Sequence, residues 1–400
     1  MESCSTPEVQ STPITQGSWF ALLSVTLSAF AFVTGEFLAV GVLNEIARDF
    51  QISVGTAGLS VSLTAIAGMF AAVLIPISAK TLDRRYLLLL LTLMMVVANF
   101  ITAFASSFMV LLFGRVILGV AIGGFWATAV ALSGRLAPAH LPIAKATALV
   151  AFGVTLASVL GVPIGTWLAQ YEGWRSSFTL IAIMGIILFI LQYLYLPQLK
   201  PSSSLRWKEL PTLVLHPVAR KGLIIFIFLG FAHFAAYSYF SAFFKQQIGF
   251  SESLISSLLL VYGIAGIFGN IFAGYLGQIN IRYTFAVSAI TLLLAFLALP
   301  LLGTHLSAAI ILTALWGFAY GIIPTAVNIW MFIHAPQAVE KGMPMVTLTF
   351  LVLIALGSIL GGFIVDHFNG TILFFSMLPL VLCSLLLMFT LARGLNNPKA

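Results

Sequence analysis

The sequence predicts an all-α, polytopic membrane protein with twelve transmembrane helices in two pseudo-symmetric six-helix bundles. Of its 400 residues, 61% are hydrophobic and only 7% are charged, whereas a soluble domain carries about 25% charged residues. Long apolar runs recur along the whole chain, and the second half repeats features of the first. This composition does not fit a soluble enzyme, a nucleic-acid-binding protein or a disulfide-linked secreted protein.

Twelve apolar runs are long enough to cross a membrane, because about 20 residues at 1.5 Å each span roughly 30 Å of hydrocarbon. Charge clusters and Pro, Ser or Asn residues separate the runs. The predicted spans are 19–43, 54–79, 86–106, 108–134, 143–169, 176–196, 222–244, 254–277, 283–303, 306–333, 343–366 and 371–392.

The positive charges predict the orientation of the chain. Of the 18 Lys and Arg residues, fourteen fall on the side that holds both termini, and Arg48, Arg175 and Lys245 fall on the other side. Positive loops stay in the cytoplasm, so both termini are expected there. The predicted parts are a cytoplasmic tail 1–18, a six-helix bundle 19–197, a cytoplasmic linker 198–221, a second bundle 222–392 and a cytoplasmic tail 393–400.

An internal repeat relates the two halves at an offset of about 197 residues. Three patterns recur in the same order. The pairs are Asp83-x-Arg85 with Asn280-x-Arg282, Gly119-x-x-x-Gly123 with Gly317-x-x-x-Gly321, and Gly161-x-x-x-Gly165 with Gly357-x-x-x-Gly361. Duplicated bundles are typical of secondary transporters, which bind substrate between the halves near the middle of the membrane.

Two charged residues lie well inside spans, where each costs at least a few kcal/mol unless it faces a cavity or a partner. Glu36 in span 1 and Arg115 in span 4 are both about 10 Å below the outer face, so the geometry allows a charge pair between them. His233 in span 7 is the repeat equivalent of Glu36. These three could bind and release a proton. The alternative is a static Glu36–Arg115 pair with His233 as a packing residue.

The motifs resemble those of the major facilitator superfamily, in its drug:proton antiporter branch. Asp83-Arg84-Arg85 resembles the signature between the second and third helices, although Ala79 stands where Gly is usual. The resemblance implies a gating role for these three residues. It implies proton transfer for Arg115 in Arg115-x-x-x-Gly119.

Gly161-Val162-Pro163-Ile164-Gly165 resembles the fifth-helix motif of exporters, which implies a gating or packing role for Gly161, Pro163 and Gly165 and points to efflux. The small residues of this span recur every four positions, and they could equally serve helix packing alone.

Within that branch, two groups of bacterial exporters are similar. The stretch Thr34 to Gly41 resembles sugar exporters, although they carry an acidic residue after the position of Tyr239 and this sequence does not. The stretches around Asp83 and from Gly123 to Ala127 are more similar to purine ribonucleoside exporters. The resemblance therefore favours a nucleoside slightly over a sugar.

The predicted cavity is lined by spans 1, 4, 7 and 10. Its aromatic and polar side chains suit a nucleoside, because rings stack on the base and polar groups bond to the ribose; they also suit a flat amphipathic drug. The candidate substrate-binding residues are Thr34, Trp126, Tyr237, Tyr239, Trp316, Tyr320 and Asn328.

The expected function is proton-coupled efflux of a small polar or amphipathic solute across the bacterial inner membrane. The alternatives are uptake by facilitated diffusion or proton symport, with Glu36 and Arg115 only structural, and a membrane sensor or partner that does not transport. We expect no enzymatic activity, no metal, no cofactor other than the coupling proton, no nucleic-acid partner, and a monomer in the lipid bilayer.

Overall fold

A computed structural model of the protein describes residues 18–79, 81–138, 140–199, 217–334 and 339–391. In these ranges the regular secondary structure is helical, and twelve helical segments are long and apolar enough to cross a membrane. The all-α fold with twelve spans is therefore confirmed. The predicted tails 1–18 and 393–400 and the linker 198–221 fall largely outside the described residues.

Sixteen α-helices are found in the described part of the chain. In order they are α1 Trp19–Gly41, α2 Leu43–Asp49, α3 Val54–Ala57, α4 Leu59–Ser78, α5 Arg84–Ala103, α6 Phe108–Leu136, α7 Ile143–Leu156, α8 Val162–Glu172, α9 Trp174–Tyr195, α10 Pro217–Tyr237, α11 Phe240–Ala242, α12 Glu252–Ile279, α13 Ile281–Leu302, α14 Leu306–His334, α15 Val339–His367 and α16 Gly370–Leu391. Two π-helical segments, Ala157–Gly161 and Phe243–Ile248, continue α7 and α11.

Short polar residues start several of these helices. The hydroxyls of Ser18, Ser107 and Ser251 accept hydrogen bonds from backbone N–H groups in the first turns of α1, α6 and α12. Asp83 and Asn280 do the same for α5 and α13. Because the first N–H groups of a helix have no partner within the helix, these caps fix where each span begins.

The internal repeat is visible in equivalent helix contacts. A side chain at Gly119 or Gly123 of α6 would overlap backbone carbonyls of α4, and one at Gly317 or Gly321 of α14 would overlap those of α12. Asp83 and Asn280, also repeat equivalents, cap equivalent helices. Close backbone approach at small residues holds helices together where lipid supplies no hydrophobic drive. The two halves are thus built from the same helix pairs.

The spans differ from the predicted ones mainly where the backbone changes its winding. The predicted span 222–244 is interrupted after Tyr237, where a turn leads into α11 and a π-helical segment that ends at Gly249 with φ +84°. The predicted span 143–169 contains the π-helical segment Ala157–Gly161, which stands just before Pro163. Proline lacks the N–H that a regular helix needs, so a local change of winding there is expected.

Candidate functional site

Arg115 is the buried base that joins three helices of the first bundle. It has no exposed surface, and its Nη1 and Nη2 donate to the backbone carbonyls of Gly35 and Glu36 at 2.7 and 2.8 Å. Its Nε donates to the carbonyl of Ser60 on α4 at 2.9 Å. A carbonyl oxygen has two lone pairs, so these atoms can accept from Arg115 while they keep their helical hydrogen bonds.

The charge pair that the sequence allows between Glu36 and Arg115 forms without contact between the two charged groups. The two residues do lie at one level, but the guanidinium contacts the backbone oxygen of Glu36. Among the described residues, the ion pairs within 4.0 Å are Arg175–Asp49 and Lys245–Glu252. The arginine side chain is long enough to reach past the carboxylate to the carbonyls, where it makes two hydrogen bonds. The pair is therefore a charge attraction without direct contact of the two side chains.

The Glu36 carboxyl group is buried inside the protein and does not face lipid, since only 4% of the residue is exposed. Its Oε1 has no hydrogen-bond partner in the described part of the chain. Glu36 is also close enough to Tyr320 of the second bundle to affect it electrostatically. Buried polar atoms are normally paired, so an unpaired carboxyl oxygen indicates a place for a proton, a water molecule or a ligand.

His233 is the centre of an aromatic cluster in the second bundle. Its ring stacks on Tyr320 with centroids 3.9 Å apart and lies 5.3 Å from Tyr237. Its Nδ1 accepts a hydrogen bond from the indole N–H of Trp316 at 3.1 Å, and its Nε2 lies 3.4 Å from the hydroxyl of Tyr262. Three predicted substrate-binding residues, Tyr237, Trp316 and Tyr320, are thus brought together around His233.

Tyr262 belongs to this cluster, and the sequence did not predict it. It lies on α12, the eighth span, which was not among the four spans expected to line the cavity. Its ring is 5.1 Å from Tyr237 and 6.1 Å from Tyr320. The sequence signal for this residue is weak. Gly266 and Gly269 lie one and two turns beyond Tyr262 on the same face of α12, and such small residues indicate a face that packs closely on another helix, here α14.

The two bundles meet at the repeat-related residues Phe37 and Phe234, which follow Glu36 and His233. Their rings are parallel within 4°, with centroids 6.4 Å apart. Phe37 also meets Tyr237 edge to face at 5.8 Å. The prediction that Glu36 and His233 occupy equivalent places in the two halves is therefore consistent with direct contact of their neighbours.

Four other predicted substrate-binding residues lie outside this cluster. Thr34 packs on α7–α8, where a side chain at Gly161 would overlap its hydroxyl. Tyr239 lies between the bundles near the end of α1 and donates to the carbonyl of Ser358 at 2.8 Å. Trp126 is half-buried beside Phe125 on α6. Asn328 is two turns beyond Tyr320 on α14, and its buried Oδ1 has no hydrogen-bond partner within the described ranges.

The exporter-type motif packs along α1. Side chains at Gly161 and Gly165 would overlap Thr34 and Leu38, and Pro163 is buried between these glycines. The carbonyl of Ser158, in the π-helical segment before the motif, lies against Gly263 of α12. The segment therefore contacts both α1 and the second bundle, as the packing interpretation predicts. A relative motion of the bundles would change these contacts.

Asp83, Arg84 and Arg85 contact their own bundle in this conformation. The Asp83 carboxylate accepts from the backbone N–H groups of Arg85 and Leu199 at 2.8 and 2.9 Å. Arg84 donates to the carbonyl of Ala79 and Arg85 to that of Tyr193. These bonds attach the start of α5 to the end of α4 and to residues at and just after the end of α9. The expected gating role of the three residues remains a prediction.

Hydrogen bonds between the bundles close the face at which α1 ends, which the charge distribution predicts to be the outer face. Asp366 of α15 accepts from the hydroxyl of Ser53 at 2.6 Å and from the N–H of Gly55 at 2.7 Å, at the start of α3. Asn44 donates to Ser241 at 3.0 Å. Gln170 donates to Ser256 at 2.9 Å, and Ser358 to the carbonyl of Gly58 at 3.1 Å.

Glu45 lies in this closed region, in α2 between two spans. Burial raises the pKa of its carboxyl to about 7; a hydrogen bond from its own backbone N–H opposes the shift, the charge of Glu252 adds to it, and Arg48 and Lys245 oppose it. Its Oε2 is buried without a partner among the described residues. The closed outer face thus buries one oxygen of this half-buried carboxyl and favours its neutral form.

A metal site was not expected, and the described residues contain no group of three His, Cys, Asp or Glu side chains placed to hold an ion. The functional features within the spans of the described part of the chain are instead the buried carboxyl of Glu36 with its unpaired Oε1, one arginine bound to helix carbonyls and one histidine within stacked rings. This arrangement can bind a flat polar molecule and exchange a proton.

Comparisons with known proteins show the family to which the chain is related. The sequence profile of the Major Facilitator Superfamily matches residues 25–343. The chain is 30% identical over 378 residues to the purine ribonucleoside efflux pump NepI of Salmonella enteritidis PT4 (strain P125109), covering 94% of this chain and 93% of that one. The NepI pump of Salmonella paratyphi B (strain ATCC BAA-1250 / SPB7) is also 30% identical, with 89% of each chain covered.

Solved structures share the fold at low sequence identity. A D-xylose-proton symporter has a TM-score of 0.75 at 16% identity, with 93% of this chain and 97% of that chain covered. A bacterial homologue of the human lysosomal transporter Spinster, in an inward-facing and occupied conformation, has a TM-score of 0.72 at 16% identity, with coverages of 94% and 96%.

Proposed function

Since the chain belongs to the major facilitator superfamily, we propose that it exports a small solute of the purine ribonucleoside type from the bacterial cytoplasm in exchange for protons. The coarser function is that of a multi-pass membrane transporter of the bacterial inner membrane, and not of an enzyme. The proposal adds the direction, the coupling ion, the substrate and a monomeric state. Protons are its only cofactor.

The observation that carries the proposal is the buried carboxyl of Glu36 beside Arg115. Its Oε1 has no hydrogen-bond partner among the described residues. Arg115 donates its hydrogen bonds to backbone oxygens and not to the Glu36 carboxyl. In this proposal the carboxyl takes up a proton from one side of the membrane and releases it to the other as the site opens to each side in turn. Inward proton movement releases about 2.3 kcal/mol per charge per 100 mV, which can drive a solute outward.

The substrate class is supported by the aromatic cluster and by the relatives. Stacked tyrosines around His233, next to Glu36, offer flat faces for a base and polar groups for a ribose. The relatives at 30% identity are named purine ribonucleoside efflux pumps. In this proposal Tyr237 and Tyr320 bind the base, and Trp316 holds His233 in place. Trp126 and Asn328 lie further along the path by which the solute leaves the cytoplasm.

The test uses everted membrane vesicles, whose interior is acidified by respiration. Wild-type vesicles should accumulate labelled inosine, adenosine or guanosine, and a protonophore should abolish the accumulation. Glu36→Gln should reduce it at least tenfold, whereas Glu172→Gln, which changes an exposed acid at the end of α8, should leave it unchanged. Accumulation only with an alkaline interior would indicate uptake by symport, and equal rates in wild-type and Glu36→Gln vesicles would contradict proton coupling through Glu36.

A further inference from the structure

His233 makes one hydrogen bond whose direction is fixed by its partner. The residue is fully buried, and the Nε1–H of Trp316 on α14 points at its Nδ1 over 3.1 Å. An indole nitrogen can donate a hydrogen bond but cannot accept one. The Nδ1 of His233 must therefore carry a lone pair and no proton in this conformation.

The other ring nitrogen then carries the proton of the neutral ring. Its neighbour is the hydroxyl of Tyr262 on α12, 3.4 Å from Nε2, and a hydroxyl oxygen can accept from it. The hydrogen bond to one ring nitrogen of a histidine sets which tautomer is present. Trp316 and Tyr262 together thus define the Nε2–H form of His233.

Full burial opposes a charge on the ring, but one neighbouring ring would attract it. The titratable groups that face His233 in the described structure are Tyr237 on its own helix, Tyr262 on α12 and Tyr320 on α14, and Glu36 on α1 acts on Tyr320. The ring lies over the face of Tyr320 at a centroid distance of 3.9 Å. A cation over a tyrosine face within about 6 Å is attracted by it.

We propose that Trp316 is a positioning residue that holds His233 in the Nε2–H tautomer, and that a second proton, taken up at Nδ1 from solvent when the site becomes accessible, breaks the hydrogen bond between them. The second protonation has a role only if transport is coupled to protons, so that part rests on the proposed function. The tautomer of the neutral ring does not depend on it. Tyr262 is the acceptor that completes the arrangement.

The consequence is a link between protonation and helix position. When Nδ1 carries a proton, two N–H groups point at each other, so Trp316 and His233 must separate or rotate. Trp316 belongs to α14 and His233 to α10, and both helices belong to the spans expected to line the cavity. The charged ring gains the face of Tyr320 while the contact between the two helices is lost.

The first test reads the tautomer directly by 15N nuclear magnetic resonance on protein with labelled histidines in lipid at pH 8. The sequence has six histidines, and the signal lost in His233→Gln identifies His233. Wild-type protein should show a protonated Nε2 and an unprotonated Nδ1. In Trp316→Phe, which removes the donor, the other tautomer should rise several-fold, because a buried hydrogen bond contributes about 1 kcal/mol.

The matched control is Trp330→Phe, which changes a buried tryptophan of the same helix 14 residues, or about 21 Å, further along. It should leave the His233 tautomer unchanged. A wild-type His233 with a protonated Nδ1, or the same tautomer ratio in wild-type and Trp316→Phe, would overturn the proposal. These readouts need no transport, so they succeed or fail independently of the proposed function.

The second test follows the indole signal of Trp316 in protein with labelled tryptophans as the pH is lowered from 8 to 5. The Nε1–H resonance should move upfield over the pH range in which His233 becomes doubly protonated, as expected for a broken hydrogen bond. In His233→Gln it should not respond to pH. A constant indole signal, or a His233 that is still singly protonated at pH 5, would overturn the second part of the proposal.

Discussion

Arg115 donates to the backbone carbonyl of Glu36 at 2.8 Å, while Oε1 of the same residue has no hydrogen-bond partner among the described residues. The two ionisable residues are therefore adjacent but have separate tasks. The guanidinium holds α1 and α4 against α6, and its charge acts on the carboxyl from a distance. A direct ion pair would have consumed the carboxyl oxygens and made proton exchange at Glu36 harder.

Replacing Arg115 with lysine should weaken the fold as well as transport. An ammonium group has three donors on a single atom and cannot reach the carbonyls of Gly35, Glu36 and Ser60 together. We expect a loss of about 2–4 kcal/mol in stability, because buried carbonyl contacts are lost around a buried charge. Thermal unfolding in detergent measures this loss. Arg48→Lys, at an exposed site, should unfold like the wild type, and so should Arg115→Lys if the carbonyl contacts are unimportant.

A side chain at Gly58 should prevent closure of the outer face. A Cβ atom there would overlap the hydroxyl of Tyr239, and Ser358 donates to the carbonyl of Gly58. Gly58→Leu should therefore hold the bundles apart at this face and reduce transport at least tenfold. The change acts on one conformation of the transporter, so the amount of folded protein should be nearly normal.

Closure can be measured as the distance between spin labels attached at Glu172→Cys and Ser253→Cys, at the ends of α8 and α12. The native cysteines are first removed by Cys4→Ser and Cys383→Ser. Gly58→Leu should shift the distance distribution to longer values. The matched control is Gly274→Leu, where nothing lies within 4 Å of the added Cβ; it should leave the distribution unchanged. A distribution for Gly58→Leu equal to that of the parent would contradict the role of this contact.

The closed state should weaken as the pH rises, because of Glu45. Burial raises the pKa of this carboxyl from 4.5 to about 7 when the outer face is closed. If opening hydrates it, the closed state binds the proton more tightly than the open one. Closure is then fully favoured below about pH 4.5 and loses up to about 3 kcal/mol by about pH 7.

The same spin-label pair tests this dependence. The long-distance population should rise between pH 5 and pH 8 in the parent protein. Glu45→Gln cannot ionise, so its distribution should be the same at both pH values. The control Glu252→Gln keeps Glu45 and removes a carboxylate that raises its pKa, so its transition should move to lower pH. A pH response in Glu45→Gln equal to that of the parent would contradict the assignment.

Gly161 and Thr34 should show strong energetic coupling. A Cβ at Gly161 would overlap the hydroxyl, Cβ and Cγ2 of Thr34, and the first and last of these are lost in Thr34→Ala. Gly161→Ala alone should lower the free energy of unfolding by about 1–3 kcal/mol, as overpacking does. Adding Thr34→Ala should recover much of this loss. Additive effects in the double variant would show that the two residues do not press on each other.

The sequence predicted the site residues that can be recognised as charged side chains within an apolar span. Glu36 and Arg115 are charged residues within apolar runs, and the internal repeat led from Glu36 to His233. The twelve spans could also be predicted, because the thickness of the hydrocarbon layer sets the length of each apolar run. The equivalent glycine contacts of α4 with α6 and of α12 with α14 confirm the repeat.

Features that depend on contacts between helices could not be predicted. Tyr262 is one tyrosine in an apolar span, and only packing shows that its hydroxyl faces His233. Asp366 is exposed to water at the end of α15, and only the packing of the two bundles shows that it also accepts a hydrogen bond from the start of α3. Nothing local in the sequence indicates that Arg115 prefers the carbonyl of Glu36 to its carboxylate, because both acceptors belong to one residue.

Proton release on substrate binding tests the exchange mechanism most directly. Purified protein in weakly buffered detergent solution near pH 7 is mixed with inosine, and the pH is followed with an indicator dye. Wild-type protein should release protons as the nucleoside binds, and Glu36→Gln should bind the nucleoside, measured by calorimetry, without releasing them. Nucleoside binding without proton release in the wild type, or equal release in Glu36→Gln, would contradict the account of Glu36 as the group that exchanges its proton for substrate.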